Sequence, residues 1–263
     1  MPQVFKQSTV GDIIESEREM FRTAGARYGE YFAHASALNT LLNNFIKSVD
    51  DPEKIFFLAY LSSVKKHHTL ALLSTVRLHS VQAGMDLRQV IEAGAWAAYG
   101  MAFREKEMFC EDRNGVIEMP DKLQRARDTW FDNEFKVKSD ELKKMKKIIN
   151  ESLAHANVAY VFQHFKFVSM EEGFHTPFFD FEDDHHVKGH LWHGANIAMG
   201  LLDLFYGVNQ KYKVIQFEDD FLSKFQDLVK KNNELRAEMM GSERFKKAQE
   251  RVCRYGIQKQ SNS

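Results

Sequence analysis

Apolar residues recur every three or four positions over most of this chain, which is the period of an α-helix buried along one face. Thr9 with Asp12 three residues on forms a helix-starting cap, and the periodic run behind it continues to Val49. Asp50-Asp51-Pro52-Glu53 reads as a stop and restart. Asp51 suits an N-cap, Pro52 the first helical turn, and Glu53 the positive end of the helix dipole. The pattern then predicts one helix to about Ser80 and another from about Gly84 to Glu105. Asn114-Gly115 marks a turn. Pro120 opens a short amphipathic helix carrying Leu123, Trp130 and Phe131, and Ser139 with Asp140 and Glu141 starts another that reaches about His155. Asp183 or Asp184 begins a helix to about Val208, and a further one spans Val214 to Met240. Gly241-Ser242 leads into a last helix bearing Phe245, Ala248 and Val252.

The stretch from Phe165 to Phe181 departs from this period. Two aromatic, partly alternating runs flank Glu172-Gly173, the pattern of a small β-hairpin or an irregular excursion. The expected fold class is therefore all-α: an irregular bundle of about seven or eight helices with a small hairpin or irregular insertion near 165–181. Residues 1–240 are expected to form one domain, and 241–263 a peripheral C-terminal helix and tail.

Composition supports this reading. Only four prolines and 14 glycines punctuate 263 residues, which favours long helices over many short strands. Lys plus Arg number 36 against 37 for Asp plus Glu, so no global field of either sign recommends nucleic acid or an anionic membrane as partner. The longest apolar stretch, Ala93 to Phe103, is too short for a membrane span, and Met1 to Thr9 lacks the order of a secretory signal. Cys110 and Cys253 make no metal-binding spacing, as expected of reduced thiols in a cytoplasmic protein.

Two constellations carry candidate chemistry. The helix from Leu87 to Phe103 is apolar almost all round and is expected to be buried, yet Arg88 and Glu92 lie one turn apart on it. Buried charges are costly unless paired, so these two are expected to engage each other or other polar groups. One reading is a structural ion pair. The sharper one is a ligand pocket in which Arg88 presents its fork to a carboxylate or phosphate while Glu92 holds that fork in place.

The second constellation is the run Glu182-Asp183-Asp184-His185-His186 followed by His190 and His193. His186, His190 and His193 share one helical face, and Asp183 could join them around a divalent transition metal such as zinc, iron or manganese. Such a site would support a metal-dependent hydrolase or oxidase. Against it, the same stripe continues through Ile197, Leu201 and Leu204, which points these histidines at the core. The lysines Lys136, Lys138, Lys143, Lys144, Lys146 and Lys147 are expected to form the solvated face of a helix whose core side carries Leu142, Met145 and Ile149.

Arg77, Ala83, the run Leu87-Arg88-Gln89-Val90-Ile91-Glu92 and Tyr99, with Ser152-Leu153-Ala154-His155 downstream, resemble a bacterial all-helical family. That family pairs an Arg-x-x-x-Glu helix with a Ser-x-x-His element and has no assigned reaction. The resemblance covers about 30 residues plus the short downstream element. It implies a mostly helical fold with Arg88, Glu92, Ser152 and His155 near one another. In outline such proteins are similar to the HEPN superfamily, some of whose members are ribonucleases using Arg-x(4–6)-His. Arg27 to His34 fits that spacing, although Tyr28 replaces the polar residue usual there.

The leading expectation is thus a cytoplasmic helical protein that binds a small molecule or protein partner through a polar pocket between central helices. Arg88 and Glu92 would form one wall, Ser152 and His155 the other. A homo-oligomer is compatible with this reading, and a HEPN-like ribonuclease would need Arg27 and His34 exposed together in a cleft.

Overall fold

The computed structural model describes residues 9–152, 166–169, 173–175, 178–180, 182–247 and 250. In chain order its elements are α1 (Val10–Tyr28), α2 (Glu30–Asn44), β1 (Ile46–Val49), α3 (Ile55–Val76) and α4 (Ser80–Ala102). After a 3-10 turn at Lys106–Met108 come β2 (Glu111–Arg113), β3 (Val116–Glu118), α5 (Asp121–Glu134) and α6 (Lys136–Ser152). The chain continues with β4 (Lys166–Ser169), β5 (Gly173–His175), α7 (Asp184–Tyr212), β6 (Ile215–Phe217) and α8 (Phe221–Gly241). The fold is an irregular all-α bundle with small antiparallel strand pairs.

Local chemistry explains most boundaries. The Thr9 hydroxyl accepts from the Asp12 amide, and the Asp12 carboxylate accepts from the Thr9 amide, so a complete capping box starts α1. The helix expected to run on to Val49 is instead two helices and a strand. Gly29 takes φ +55°, a conformation cheap only for glycine, and turns the chain between α1 and α2. The Ile46–Val49 stretch then pairs with β6. Asp51 caps a turn rather than a helix: its carboxylate accepts from the Glu53 amide at 3.0 Å, and α3 begins only at Ile55. Leu78, at φ +59°, reverses the chain between α3 and α4 with the His79 amide bonded to the Ser74 carbonyl. Asn114 and Gly115, at φ +57° and +83°, make the two-residue turn joining β2 to β3. The pairing of β4 with β5 supplies the hairpin expected near 165–181.

The helix expected from Val214 does not begin there. Lys213 closes α7 in the left-handed conformation. Asn209, itself buried, accepts from the Val214 and Ile215 amides and donates to the Ile215 carbonyl. Three backbone groups are thereby bound in extended form, so 215–217 becomes a strand and α8 starts at Phe221.

The 29-residue α7 runs through the middle, packed by α2, α3, α4, α6 and α8. Glycines set the closest approaches. A Cβ at Gly94 would meet Leu201, and Gly194 faces Leu87, so α4 and α7 run parallel. Lys138 pairs with Asp203 and Met145 lies on Gly200, so α6 runs opposite to α7 and hence opposite to α4. A second cluster of aromatic side chains, Trp96, Tyr99 and Phe109 with Phe56, Tyr60, Phe103 and Trp130 around them, covers the other side of α4. No described helix is long and apolar enough to cross a membrane.

Candidate functional site

On α4, Glu92 does not pair with Arg88. Its carboxylate is bound by Lys146 of α6 and lies 3.5 Å from Nη1 of Arg127 on α5. Two cations reach Glu92 from neighbouring helices, whereas Arg88 is half-buried and makes no ion pair among the described residues. The expected Arg88–Glu92 pair is therefore replaced by a three-helix junction. Because α4 and α6 are antiparallel and Glu92 meets Lys146, Arg88 lies one turn further towards the Asn150 end of α6. The backbone of Ser152 is the last residue of α6; its side chain and the whole of His155 lie outside the described residues.

Arg127 is the central side chain of the junction. It is 3% exposed. Its Nε and Nη2 both donate to Oδ1 of Asp128, at 2.9 and 2.6 Å, and its guanidinium lies 4.6 Å from the centre of the Trp96 ring. Among the described residues Nη1 makes no hydrogen bond. Beside it, Ser139 and Lys143 both donate to Oδ1 of Asp132, at 2.6 and 2.5 Å, and these bonds hold the Asp132 carboxyl below the usual carboxylate range. Glu92, Arg127, Asp128, Ser139, Lys143 and Lys146 line a cavity of about 80 Å³ whose apolar walls include Ile91, Phe131 and Leu142. A polar pocket with Glu92 on its wall is thus present between central helices, but the fork in it belongs to Arg127.

Sequence reasoning missed Arg127, although a signal existed. Leu123, Arg127, Trp130 and Phe131 follow the i, i+4, i+7, i+8 spacing of one helical stripe. A guanidinium on an apolar stripe is a buried charge in waiting. The lysines of α6 likewise do more than face solvent: Lys138, Lys143 and Lys146 reach Asp203, Asp132 and Glu92 on three other helices.

The histidine stripe is dispersed. Asp183 is the N-cap of α7, accepts from the His185 and His186 amides and also binds Arg244. Asp184 pairs with Arg27 at 2.7 Å, and the buried Glu182 lies 3.4 Å from His190. His186 is largely exposed, 3.7 Å from Asp183. His193 is turned inward, its Nε2 buried without a hydrogen-bond partner among the described residues, and burial lowers its pKa to about 4. Among the described residues no three His, Cys, Asp or Glu side chains converge as a metal set. Among the described residues His186, His190, His193 and Asp183 therefore do not converge as one set: Asp183 caps α7 and binds Arg244, and His193 turns inward. Arg27 and His34 are engaged by different partners: His34 is 3% exposed and bonded to Asn232, while Arg27 is held by Asp184 on another helix.

Comparison with family models, with curated proteins and with solved structures finds no match to this chain, so its function is argued from the pocket's own chemistry.

Proposed function

We infer that this is a ligand-binding helical protein whose site is the pocket between α4, α5 and α6, and that its ligand is small and polar. The observation that carries this is Arg127 Nη1, a buried donor on the cavity wall that makes no hydrogen bond among the described residues, the Glu92 carboxylate standing off at 3.5 Å. Leaving such a donor unmet costs about 1–3 kcal/mol, more for a charged group, so the site is arranged for an oxygen supplied from outside the chain. The guanidinium is pre-oriented by Asp128 on one edge and Trp96 on its face, so little rotamer freedom is lost when a ligand binds. The partly exposed Asp128 and Lys143 give the ligand a polar way in.

Two larger grooves support this role less well. The groove of about 730 Å³ between α2 and α8 is open, and Lys47 and Lys224 already neutralise Asp219 and Asp220 on its rim. The groove between α1 and α3 is open too, with Arg18 and Arg22 bound by glutamates of their own helix.

Ligand-observed NMR with a set of polar fragments of up to about five heavy atoms tests the reading. Wild-type protein is expected to bind several of them saturably with millimolar dissociation constants, or about −4 kcal/mol. Arg127→Met is expected to lose those interactions while keeping its helical circular-dichroism spectrum. Fragments that bind the variant as well as the wild type would place binding elsewhere.

A further inference from the structure

We propose that the ligand is a small oxyanion, a carboxylate or a phosphate, and that Glu92 is its built-in competitor. This rests on the pocket reading above and goes on to the class of ligand and its control.

Donor chemistry gives the class. Arg127, Lys143 and Lys146 can donate hydrogen bonds and cannot accept them, and Ser139 is already used as a donor to Asp132. The open position on Arg127 therefore calls for an acceptor, and a guanidinium binds a planar or tetrahedral oxyanion better than a neutral carbonyl. Size narrows it further. A cavity of about 80 Å³ has room for a compact anion, while nucleotides and drug-sized cofactors occupy pockets of about 300–1,000 Å³.

Charge balance identifies the competitor. Three cations, Arg127, Lys143 and Lys146, already meet three carboxylates, Asp128, Asp132 and Glu92. An entering anion leaves a surplus negative charge unless one of the three steps aside. Asp128 is held by two donors from Arg127, and Asp132 by Ser139 and Lys143. Glu92 is hydrogen-bonded by Lys146 and stays 3.5 Å from Arg127 without a hydrogen bond to it, on a flexible side chain that keeps some access to solvent. Glu92 occupies the ligand's place loosely: its carboxylate faces the same two cations that an oxyanion would take. When the anion enters, Glu92 swings out and the anion bridges Lys146 and Arg127 Nη1.

A structural brace and a competitor respond oppositely to one substitution. Calorimetric titration of sodium acetate and, separately, sodium phosphate at matched ionic strength reads this directly, with sodium chloride as the control for an adventitious ion only. Glu92→Gln is expected to bind at least one of the two oxyanions at least tenfold more tightly than wild type. Acetate and phosphate arms tell a carboxylate ligand from a phosphate. If Glu92→Gln does not fold, Glu92→Asp, whose shorter side chain cannot reach Arg127, is expected to tighten binding in the same direction. Unchanged or weaker oxyanion binding in these variants overturns the proposal, as does equal tightening towards chloride. Arg127-dependent binding of neutral acetamide or urea without any oxyanion binding would leave the pocket reading standing and sink this one. Silence from every probe would sink both.

Discussion

Gly100→Ala is expected to destabilise the protein by about 3 kcal/mol or more, enough to lower its Tm by roughly 6–12 °C. A Cβ at Gly100 would lie 2.7 Å from the Phe57 backbone nitrogen and 2.9 Å from its Cα. Those atoms belong to the α3 backbone and cannot rotate away, so the helices must separate along their closest contact. Separation would open the pairings that cross it, including the stacking of Phe56 on Phe109 and of Tyr60 on Trp96. Alanine itself favours a helix over glycine by about 1 kcal/mol, so the clash must overcome that gain. Gly207→Ala is the internal control. It sits on α7 with nothing within 4 Å of the added Cβ, and is expected to raise stability by about 0.5–1 kcal/mol. Thermal unfolding of both variants followed by circular dichroism decides the point. Equal and small effects would mean that α3 and α4 are not packed backbone to backbone at Gly100.

Acidification is expected to cost a comparable amount between pH 6.5 and 4. His68 is buried, its Nε2 donating to the Gly194 carbonyl and its Nδ1 lying 2.8 Å from the Asn39 side-chain amide, and burial lowers its pKa to about 4. His193 is lowered to about 4 as well, and His34 in the same direction, each chiefly by burial. The native protein therefore keeps these rings neutral where the unfolded chain, titrating near 6.5, takes up protons. Stability is full above pH 6.5 and falls as pH drops towards 4, because the unfolded state then binds more protons than the native one. His68 alone carries on the order of 3 kcal/mol across that window. Below it Glu182 continues the trend. Burial pushes its carboxyl up, but His190 and Ser80 outweigh this and hold it below the usual range, so its contribution is lost as it protonates. Urea unfolding at pH 7, 5.5 and 4.5 should show a falling midpoint, and His68→Gln a lower but flatter series. A midpoint constant down to pH 4.5 would contradict the buried, neutral assignment.

Helical periodicity in the sequence located most helices, since amphipathic spacing is dictated by the buried face itself. Thr9–Asp12 as a capping box, Asp183 or Asp184 as the start of α7 and Asn114-Gly115 as a tight turn were readable because their chemistry is local. What failed was decided at a distance. β1 exists because β6 is there to pair with it, and β6 exists because Asn209 holds its backbone open. Neither partner is within sight of the other along the chain. The same holds for the site. Glu92 stood out as a charge on an apolar helix, and it does line the pocket. Its partners, Arg127 and Lys146, come from two later helices, and the nearer Arg88 was favoured only because it was adjacent in sequence. The histidines aligned on α7 as their spacing requires, but the spacing could not show that Asp183 and Asp184 pair with Arg244 and Arg27, or that Glu182 meets His190 alone of the three.

The most direct test of the pocket as a binding site is a crystal structure of the protein soaked with compact polar fragments, acetate and phosphate among them. The account predicts electron density for a bound molecule in the cavity, with an oxygen about 3 Å from Arg127 Nη1. A cavity holding only ordered water that links Nη1 to Glu92, unchanged at high fragment concentration, would show the junction of α4, α5 and α6 to be a structural brace and would contradict the assignment.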